Sequence, residues 1–205
     1  MLAFKLLLRN WRSGELKLLS LSLILAVAVI SGISIFTDRL DTSMTMQSNA
    51  ILGADRVINS TQVINPAWET QAEQAHLRHT KSVTLESMIY AGDAMFLASV
   101  KAVDFAYPLR GQLEVSQVAF TNKNSDISIA NGIPKMGEAW IDSRLLSMLN
   151  IELGDAVNVG ELSLTVTKVL IREPEQFSFN PTLLINYADL PSTKLILPGS
   201  RVDYR

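Results

Sequence analysis

Side chains that could do chemistry are few in this sequence. His76 and His79 are the only histidines, and their spacing of three would let them share one face of a helix. No acidic or cysteine residue stands at the spacing of a zinc motif, and structural zinc usually needs four ligands, so a solvated helix end is the better interpretation. Glu173 and Glu175 flank Pro174 and resemble an acid–base pair, but residues placed in this way in a loop are usually solvated.

Other catalytic and nucleotide-binding arrangements are absent from the sequence. The chain has no cysteine, so no thiol nucleophile is available, and it has no Gly-x-Ser-x-Gly turn that would present a serine. It also lacks a glycine-rich loop ending in Gly-Lys-Ser/Thr, which would bind phosphates. We therefore expect no enzyme activity, no metal and no cofactor, and if ATP drives this protein another chain must bind it.

Charge is distributed unevenly along the 205 residues. The whole chain has a net charge of -2 and is 48% hydrophobic, a composition that excludes disordered, collagen-like and disulfide-stapled proteins. Residues 1–17 contain four basic residues and one acidic residue, whereas residues 18–205 have a net charge of -5. This acidity argues against nucleic acid as a partner, because such binding relies on clustered Lys and Arg.

An uncharged segment of twenty residues runs from Leu18 to Thr37. At about 1.5 Å per residue, a helix of that length crosses the roughly 30 Å hydrocarbon layer of a membrane. The alternative, a cleaved signal peptide, predicts an apolar core of about 7–15 residues followed by a small-x-small site, and the residues after Thr37 contain no such site. The sequence therefore predicts a retained transmembrane helix, with residues 1–17 in the cytoplasm by the positive-inside rule and the residues after 38 on the other side.

The first seventeen residues have an amphipathic pattern. Apolar residues recur at helical spacing with basic residues beside them, which predicts a short helix on the cytoplasmic lipid surface; the residues are Phe4, Leu7, Leu8 and Trp11 with Lys5, Arg9 and Arg12. Of these, Phe4, Arg9, Trp11 and Arg12 are the candidate interface residues. The alternative is a solvated, positively charged tail, because so short a helix is marginal without a surface.

The helix is expected to continue beyond the membrane as a stalk over residues 38–53. This segment has no proline, keeps Leu40, Met44 and Ile51 near one side, and has its first glycine at Gly53, a favoured residue just after a helix. A helix from Leu18 to Leu52 would be about 52 Å long, so about 20 Å would extend beyond the lipid.

Small residues within the span have two interpretations. They could let another helix approach closely, or the hydroxyl groups could bond to their own backbone while the helix faces lipid. The residues are Ser20, Ser22, Ser31, Gly32 and Ser34.

Residues 54–205 form the predicted outer domain, in which β-branched runs alternate with single helices in an α+β pattern. We expect helices at 66–76 and 143–149, with Asp142 as the N-cap of the second. The expected strands are 55–60, 82–90, 94–102, 138–141, 157–159, 162–171, 181–185 and 201–204. Strands 82–90 and 94–102 should form an antiparallel hairpin, and strand 162–171 should have one covered and one wet face.

The order of these parts, together with several short motifs, resembles the FtsX-like and MacB-like ABC transporter permeases. The motifs are Leu52-Gly53-Ala54-Asp55, Tyr107-Pro108-Leu109-Arg110-Gly111, Gly137-Glu138-Ala139-Trp140-Ile141-Asp142-Ser143-Arg144-Leu145-Leu146, Leu153-Gly154-Asp155 and Leu197-Pro198-Gly199-Ser200. The resemblance covers nearly the whole chain. Its motif residues look structural rather than catalytic: Gly53, Gly154 and Asp155 as turn positions, and Trp140 and Leu145 as core residues.

The resemblance implies a bacterial inner-membrane permease subunit that converts ATP hydrolysis by a separate ATPase into motion of a periplasmic domain. Its expected partners are that ATPase, membrane lipid, and the remaining transmembrane part of the permease or a second copy. The cargo would be a lipid or another hydrophobic molecule. Because relatives have several further spans, the sequence is expected to be an amino-terminal fragment. The alternative is a signal-anchored periplasmic binding or sensory module without an ATPase.

Overall fold

The computed structural model describes residues 15–121, 123–174 and 179–205. The candidate interface residues Phe4, Arg9, Trp11 and Arg12 lie outside the described residues. The chain divides into two compact units, one ending at Gln47 and the other extending from Ser48 to Arg205.

The first element within the described residues is a long helix, α1 (Glu15–Leu52), of 38 residues. It begins before Leu18 and continues without a break past Thr37, so the backbone of the expected stalk is helical up to Leu52. At about 1.5 Å per residue it is about 57 Å long. Gly53 follows with φ of 65°, a left-handed conformation that glycine adopts without a Cβ clash, and this conformation ends the helix.

The second unit combines a nine-stranded sheet with short helices. The helices are α2 (Pro66–Gln74), α3 (Ser143–Leu149) and α4 (Leu190–Thr193), with single 3-10 turns at Asn124–Asp126 and Tyr187–Asp189. The strands are β1 (Ser82–Ala91), β2 (Ala94–Val103), β3 (Glu114–Ser116), β4 (Ile127–Ile129), β5 (Glu138–Asp142), β6 (Ala156–Val159), β7 (Leu162–Arg172), β8 (Thr182–Asn186) and β9 (Val202–Tyr204). The mixture of helix and strand agrees with the expected fold class.

Six of the strands close into a ring. Their order is β7-β5-β8-β2-β1-β6, and β6 pairs back with β7. The pairs β2–β8 and β5–β7 are parallel, and the other pairs in the ring are antiparallel. Strands β3 and β4 extend the sheet from β7, and β9 pairs with β1. The ring therefore joins strands that are far apart in the sequence.

Buried apolar side chains form two clusters. The larger cluster contains Leu145 together with apolar residues from all six ring strands, and α3 contributes Leu146 and Leu149 to it. The smaller cluster contains Trp140 and Tyr107 together with Leu113, Val115, Leu170 and Leu184. Trp140 and Ile141 are neighbours on β5 and belong to different clusters, so both faces of this strand are covered.

Local signals account for the elements that were predicted correctly. Asp142 accepts a hydrogen bond from the backbone N–H of Arg144 at 2.8 Å and so caps α3, which spans the predicted residues 143–149. Asn65 caps α2 in the same way, and Pro66 occupies its first turn. The β1–β2 hairpin is antiparallel, as its short turn at Gly92 and Asp93 predicted.

Two expectations about elements were wrong, and a third was confirmed in part. Residues 55–60 form no strand; Ser60 alone makes a bridge, with Tyr204, because no strand lies alongside the rest of this segment. Helix α2 ends at Gln74, and His76 has φ of 54°, so the two histidines do not share a helix face. Strand β7 keeps the expected alternation from Leu162 to Thr167, with Leu164 and Val166 buried and Ser163 and Thr165 exposed. Beyond the register shift against β5 the alternation ends, because Val169 and Leu170 are both buried.

Candidate functional site

The apolar span within α1 is the first candidate. The helix segment Lys17–Leu40 is 24 residues long and has a mean hydropathy of 2.5, and none of its residues is buried. Large apolar side chains are exposed all round it, from 42% at Leu40 to 71% at Leu18. A helix that is apolar on every side suits a lipid environment, and this one is long enough to cross a bilayer at about 1.5 Å per residue.

Two serines in the span bond to their own helix. The Ser20 hydroxyl donates to the backbone oxygen of Lys17 at 3.0 Å, and the Ser22 hydroxyl donates to that of Leu19 at 2.9 Å. Both hydroxyl groups therefore donate their hydrogen bonds within α1 and need no second helix as acceptor. At these two positions this favours the interpretation that the serines bond to their own backbone.

The residues expected in the stalk all lie in or next to α1. Leu40 is 42% exposed, Met44 and Ile51 are helical, and Gly53 directly follows the last helical residue. Asp38 ends the uncharged run that begins after Lys17. The predicted limits Leu18 and Thr37 therefore lie inside one continuous helix.

At the exit of α1, residues just after the helix contact a distant loop. The backbone N–H of Arg110 donates to the backbone oxygen of Gly53 at 2.7 Å. The Arg110 side chain donates from Nε and Nη2 to the two carboxylate oxygens of Asp55 at 3.0 and 2.9 Å. This bidentate geometry is specific to arginine, because the planar guanidinium matches a carboxylate.

The same pairing changes the pKa values of both groups. The hydrogen bond from Arg110 holds the pKa of Asp55 below its ordinary value of 3.8, and the positive charge of Arg78 acts in the same direction. In return, the hydrogen bond to Asp55 raises the pKa of Arg110. Both side chains are at least half exposed, so solvent and salt weaken this pair.

A buried polar cluster lies on the sheet next to this loop. Lys101 on β2 places its ammonium nitrogen 3.3 Å from a Glu173 carboxylate oxygen, and the two side chains are 5% and 3% exposed. The same nitrogen donates to the Tyr107 hydroxyl at 2.8 Å and lies 4.8 Å from the Tyr107 ring centre. The Tyr107 hydroxyl in turn donates to the backbone oxygen of Pro174 at 3.1 Å.

This cluster corrects the expectation for Glu173. The sequence predicted a solvated loop carboxylate, but Glu173 is buried because β2 and the loop with Tyr107 cover the end of β7. Glu175 lies outside the described residues. The sequence did contain one signal for this site, an isolated lysine within the otherwise apolar strand β2. A charge at such a position must be paired when the strand is buried.

The remaining predicted positions lie in the second unit. Gly154 has φ of 101°, and the Asp155 carboxylate accepts a hydrogen bond from the backbone N–H of Glu152 at 2.8 Å, which forms a turn. Trp140 and Leu145 are 2% and 0% exposed. Within residues 15–121, 123–174 and 179–205, no group of three His, Cys, Asp or Glu residues is placed to hold a metal ion.

Comparison with known proteins finds similarity to a permease. No family model matches the chain. Over 201 residues the chain is 33% identical to the uncharacterized ABC transporter permease YbbP of Escherichia coli (strain K12), an alignment that covers 96% of the chain. Over nearly its whole length the chain is therefore similar to an ABC transporter permease. The chain spans only 24% of the length of this relative. The sequence identity confirms the resemblance that the motifs indicated.

Two solved structures are also similar to this chain. One is a domain of a protein classed as a permease from Porphyromonas gingivalis, with 12% identity, a TM-score of 0.39, and coverage of 61% of this chain and 58% of that one. The other is the periplasmic region of MacB from Actinobacillus actinomycetemcomitans, with 15% identity, a TM-score of 0.41, and coverage of 73% and 66%.

Proposed function

We propose that this chain is the part of an inner-membrane ABC permease that passes movement from a membrane helix to a periplasmic domain. In this proposal a separate ATPase binds and hydrolyses ATP on the cytoplasmic side. The permease itself does no chemistry. Residues 1–17 lie in the cytoplasm, where Phe4, Arg9, Trp11 and Arg12 contact lipid, and residues after 38 lie in the periplasm.

The observation that carries this proposal is the continuity of α1. One helix contains the whole apolar span and extends a further twelve residues beyond Leu40 to Leu52. Twelve helical residues are about 18 Å long, and a helix resists bending when no proline interrupts its hydrogen bonds. A stiff element of this kind can transmit displacement from the bilayer to whatever folds at its far end.

The cargo we propose is a lipid or another hydrophobic molecule. This part of the proposal comes from the family resemblance. The proposed partners other than the ATPase are membrane lipid and either the remaining transmembrane part of the permease or a second copy of it.

Substitution of Ser48 by proline tests the transmission. Proline removes one helical hydrogen bond and clashes with the preceding turn, at a cost of about 3 kcal/mol in a helix interior. In the full-length permease with its ATPase in nanodiscs, ATP should change hydrogen exchange in the sheet in wild type and in the control Ser48→Ala, but not in Ser48→Pro. The transmission role is wrong if Ser48→Pro responds like wild type.

Purification of the full-length protein tests the ATPase partner. We expect a chain with a P-loop to co-purify with it. A protein that purifies alone and binds a small ligand would instead support the anchored binding or sensory module.

A single cysteine tests the orientation, since these 205 residues contain none. Asp93 lies in the exposed β1–β2 turn, so Asp93→Cys should react with a membrane-impermeant maleimide in cells with only the outer membrane opened. Labelling that requires rupture of the inner membrane would reverse the proposed orientation.

A further inference from the structure

One loop contacts both the exit of α1 and the sheet. We call residues 104–111, which follow β2, the bridging loop. At one end Arg110 contacts Gly53 through the backbone and Asp55 through its side chain. These contacts connect the first residues after α1 to a segment more than fifty positions away in the sequence.

The other end of the bridging loop is fastened to the sheet. The Tyr107 hydroxyl lies between the Lys101 ammonium group on β2 and the backbone oxygen of Pro174 after β7. The backbone N–H of Asp104 donates to the backbone oxygen of Lys81 at 3.0 Å, just before β1. The loop is therefore tied to three places around the sheet.

The two ends differ in exposure, and this difference sets how easily each contact opens. At the helix exit, Arg110 and Asp55 are 50% and 60% exposed, so water and ions compete for their charges. At the sheet, Lys101 and Glu173 are almost completely buried, so loss of their contact would expose charges to a low-dielectric interior. The sheet end is thus the permanent anchor, and the helix end is the contact that can release.

We propose that the bridging loop couples the exit of α1 to the sheet, with Arg110 and Tyr107 as its positioning residues. This inference rests on the proposed function and names the residues that carry the movement. Only two residues separate Tyr107 from Arg110, and one of them is Pro108, whose ring fixes φ. A displacement of Gly53 and Asp55 is therefore passed to Tyr107 through a short, stiff segment.

Distance measurement between spin labels tests the link without ATP, ATPase or cargo. Cysteines replace Ser48 near the end of α1 and Asp203, an exposed residue on β9, in the otherwise cysteine-free chain. In nanodiscs the wild-type background should give a narrow distance distribution. We expect Arg110→Gln to broaden it at least twofold, and Arg110→Lys to be intermediate because lysine cannot form the bidentate contact.

A matched control and a pH series complete this test. Lys194→Gln removes an exposed ion pair with Glu161 elsewhere on the sheet unit and should leave the distance distribution unchanged.

The pH dependence follows from the pKa of Asp55, which Arg110 and the charge of Arg78 depress. The Arg110–Asp55 contact is therefore complete above pH 3.8 and is lost as the pH falls through the lowered pKa of Asp55. The wild-type distribution should therefore stay narrow at pH 5. If the distance distribution in Arg110→Gln is as narrow as in wild type, the proposed link between the exit of α1 and the sheet is overturned.

The role in coupling is tested in the full-length permease–ATPase complex. If ATP changes hydrogen exchange of the sheet in wild type, Arg110→Gln should reduce that change severalfold while the ATPase remains bound. A full response in Arg110→Gln overturns the coupling role and leaves the proposed function intact. If ATP does not change hydrogen exchange in the wild-type complex, the proposed function is overturned. The distances between the spin labels at positions 48 and 203 then decide whether the bridging loop connects the exit of α1 to the sheet.

Discussion

Replacement of Lys101 by methionine should destabilise the sheet unit strongly. The substitution keeps the length of the side chain but removes the ammonium group 3.3 Å from the carboxylate of Glu173, where both side chains are nearly inaccessible to water. Removing one member of a buried ion pair costs about 3–5 kcal/mol, because the remaining charge stays in a poorly solvated place. It also removes the donor 2.8 Å from the Tyr107 hydroxyl.

The expected loss of stability in Lys101→Met can be expressed as a fall in melting temperature. The sheet unit, Ser48–Arg205, is a folded unit of about 160 residues. For domains of this size each kcal/mol lowers Tm by about 2–4 °C, so Lys101→Met should lower it by about 6–20 °C. The measurement is thermal and urea unfolding of the complete chain in detergent micelles, followed by the circular dichroism of the strands.

A double substitution separates the charge effect from packing. Replacing both members of a buried pair by apolar residues is often neutral or stabilising, so Lys101→Met with Glu173→Leu should recover most of the lost stability. The exposed pair offers a control: Lys194→Met should cost less than about 1 kcal/mol. The reasoning is refuted if Lys101→Met also costs less than about 1 kcal/mol, or if the double variant loses the sum of both single effects.

Three further changes test the fold of the sheet unit by the same unfolding measurements. Gly160→Ala should be more destabilising than Gly92→Ala by about 1–3 kcal/mol, because both residues have positive φ but only at Gly160 would a Cβ overlap the backbone oxygen of Thr193; equal losses would contradict this. Leu145→Ala should cost about 2–5 kcal/mol, since the side chain is completely buried in the larger cluster, and a loss under 1 kcal/mol would show that the site is not core. Asp142→Ala should cost about 0.5–2 kcal/mol through loss of the α3 cap, whereas Asp142→Asn should retain most of the stability.

The parts of this protein that the sequence predicted well depend on residues close together in the chain. The apolar span follows from length and the absence of charge, and the cap of α3 follows from one aspartate before an apolar pattern. The β1–β2 hairpin follows from the short turn Ala91-Gly92-Asp93 between two predicted strands. Each of these signals acts over a few residues, so it can be detected without knowing the fold.

The segment after Gly53 shows where local signals in the sequence predict the wrong element. Residues 55–60 contain Val57 and Ile58, a pattern typical of a strand, yet the chain there has no neighbouring strand except at Ser60. Strand formation requires a partner for the backbone groups, and the partner is supplied by the topology rather than by the segment itself. Strand β7 follows its predicted alternation only as far as Thr167, because beyond the register shift against β5 the adjacent residues Val169 and Leu170 are both buried.

The sequence by itself therefore determined the apolar span, the division of charge along the chain, the mixed helix-and-strand class of the second unit and the resemblance to the permeases. Only the tertiary structure decided that six strands close into a ring, that Glu173 is buried beside Lys101, and that Arg110 fastens the exit of α1. The physical reason is that burial and pairing are set by neighbours in space. Lys101 and Glu173 are 72 positions apart, and nothing near either residue in the chain indicates that the other will cover it.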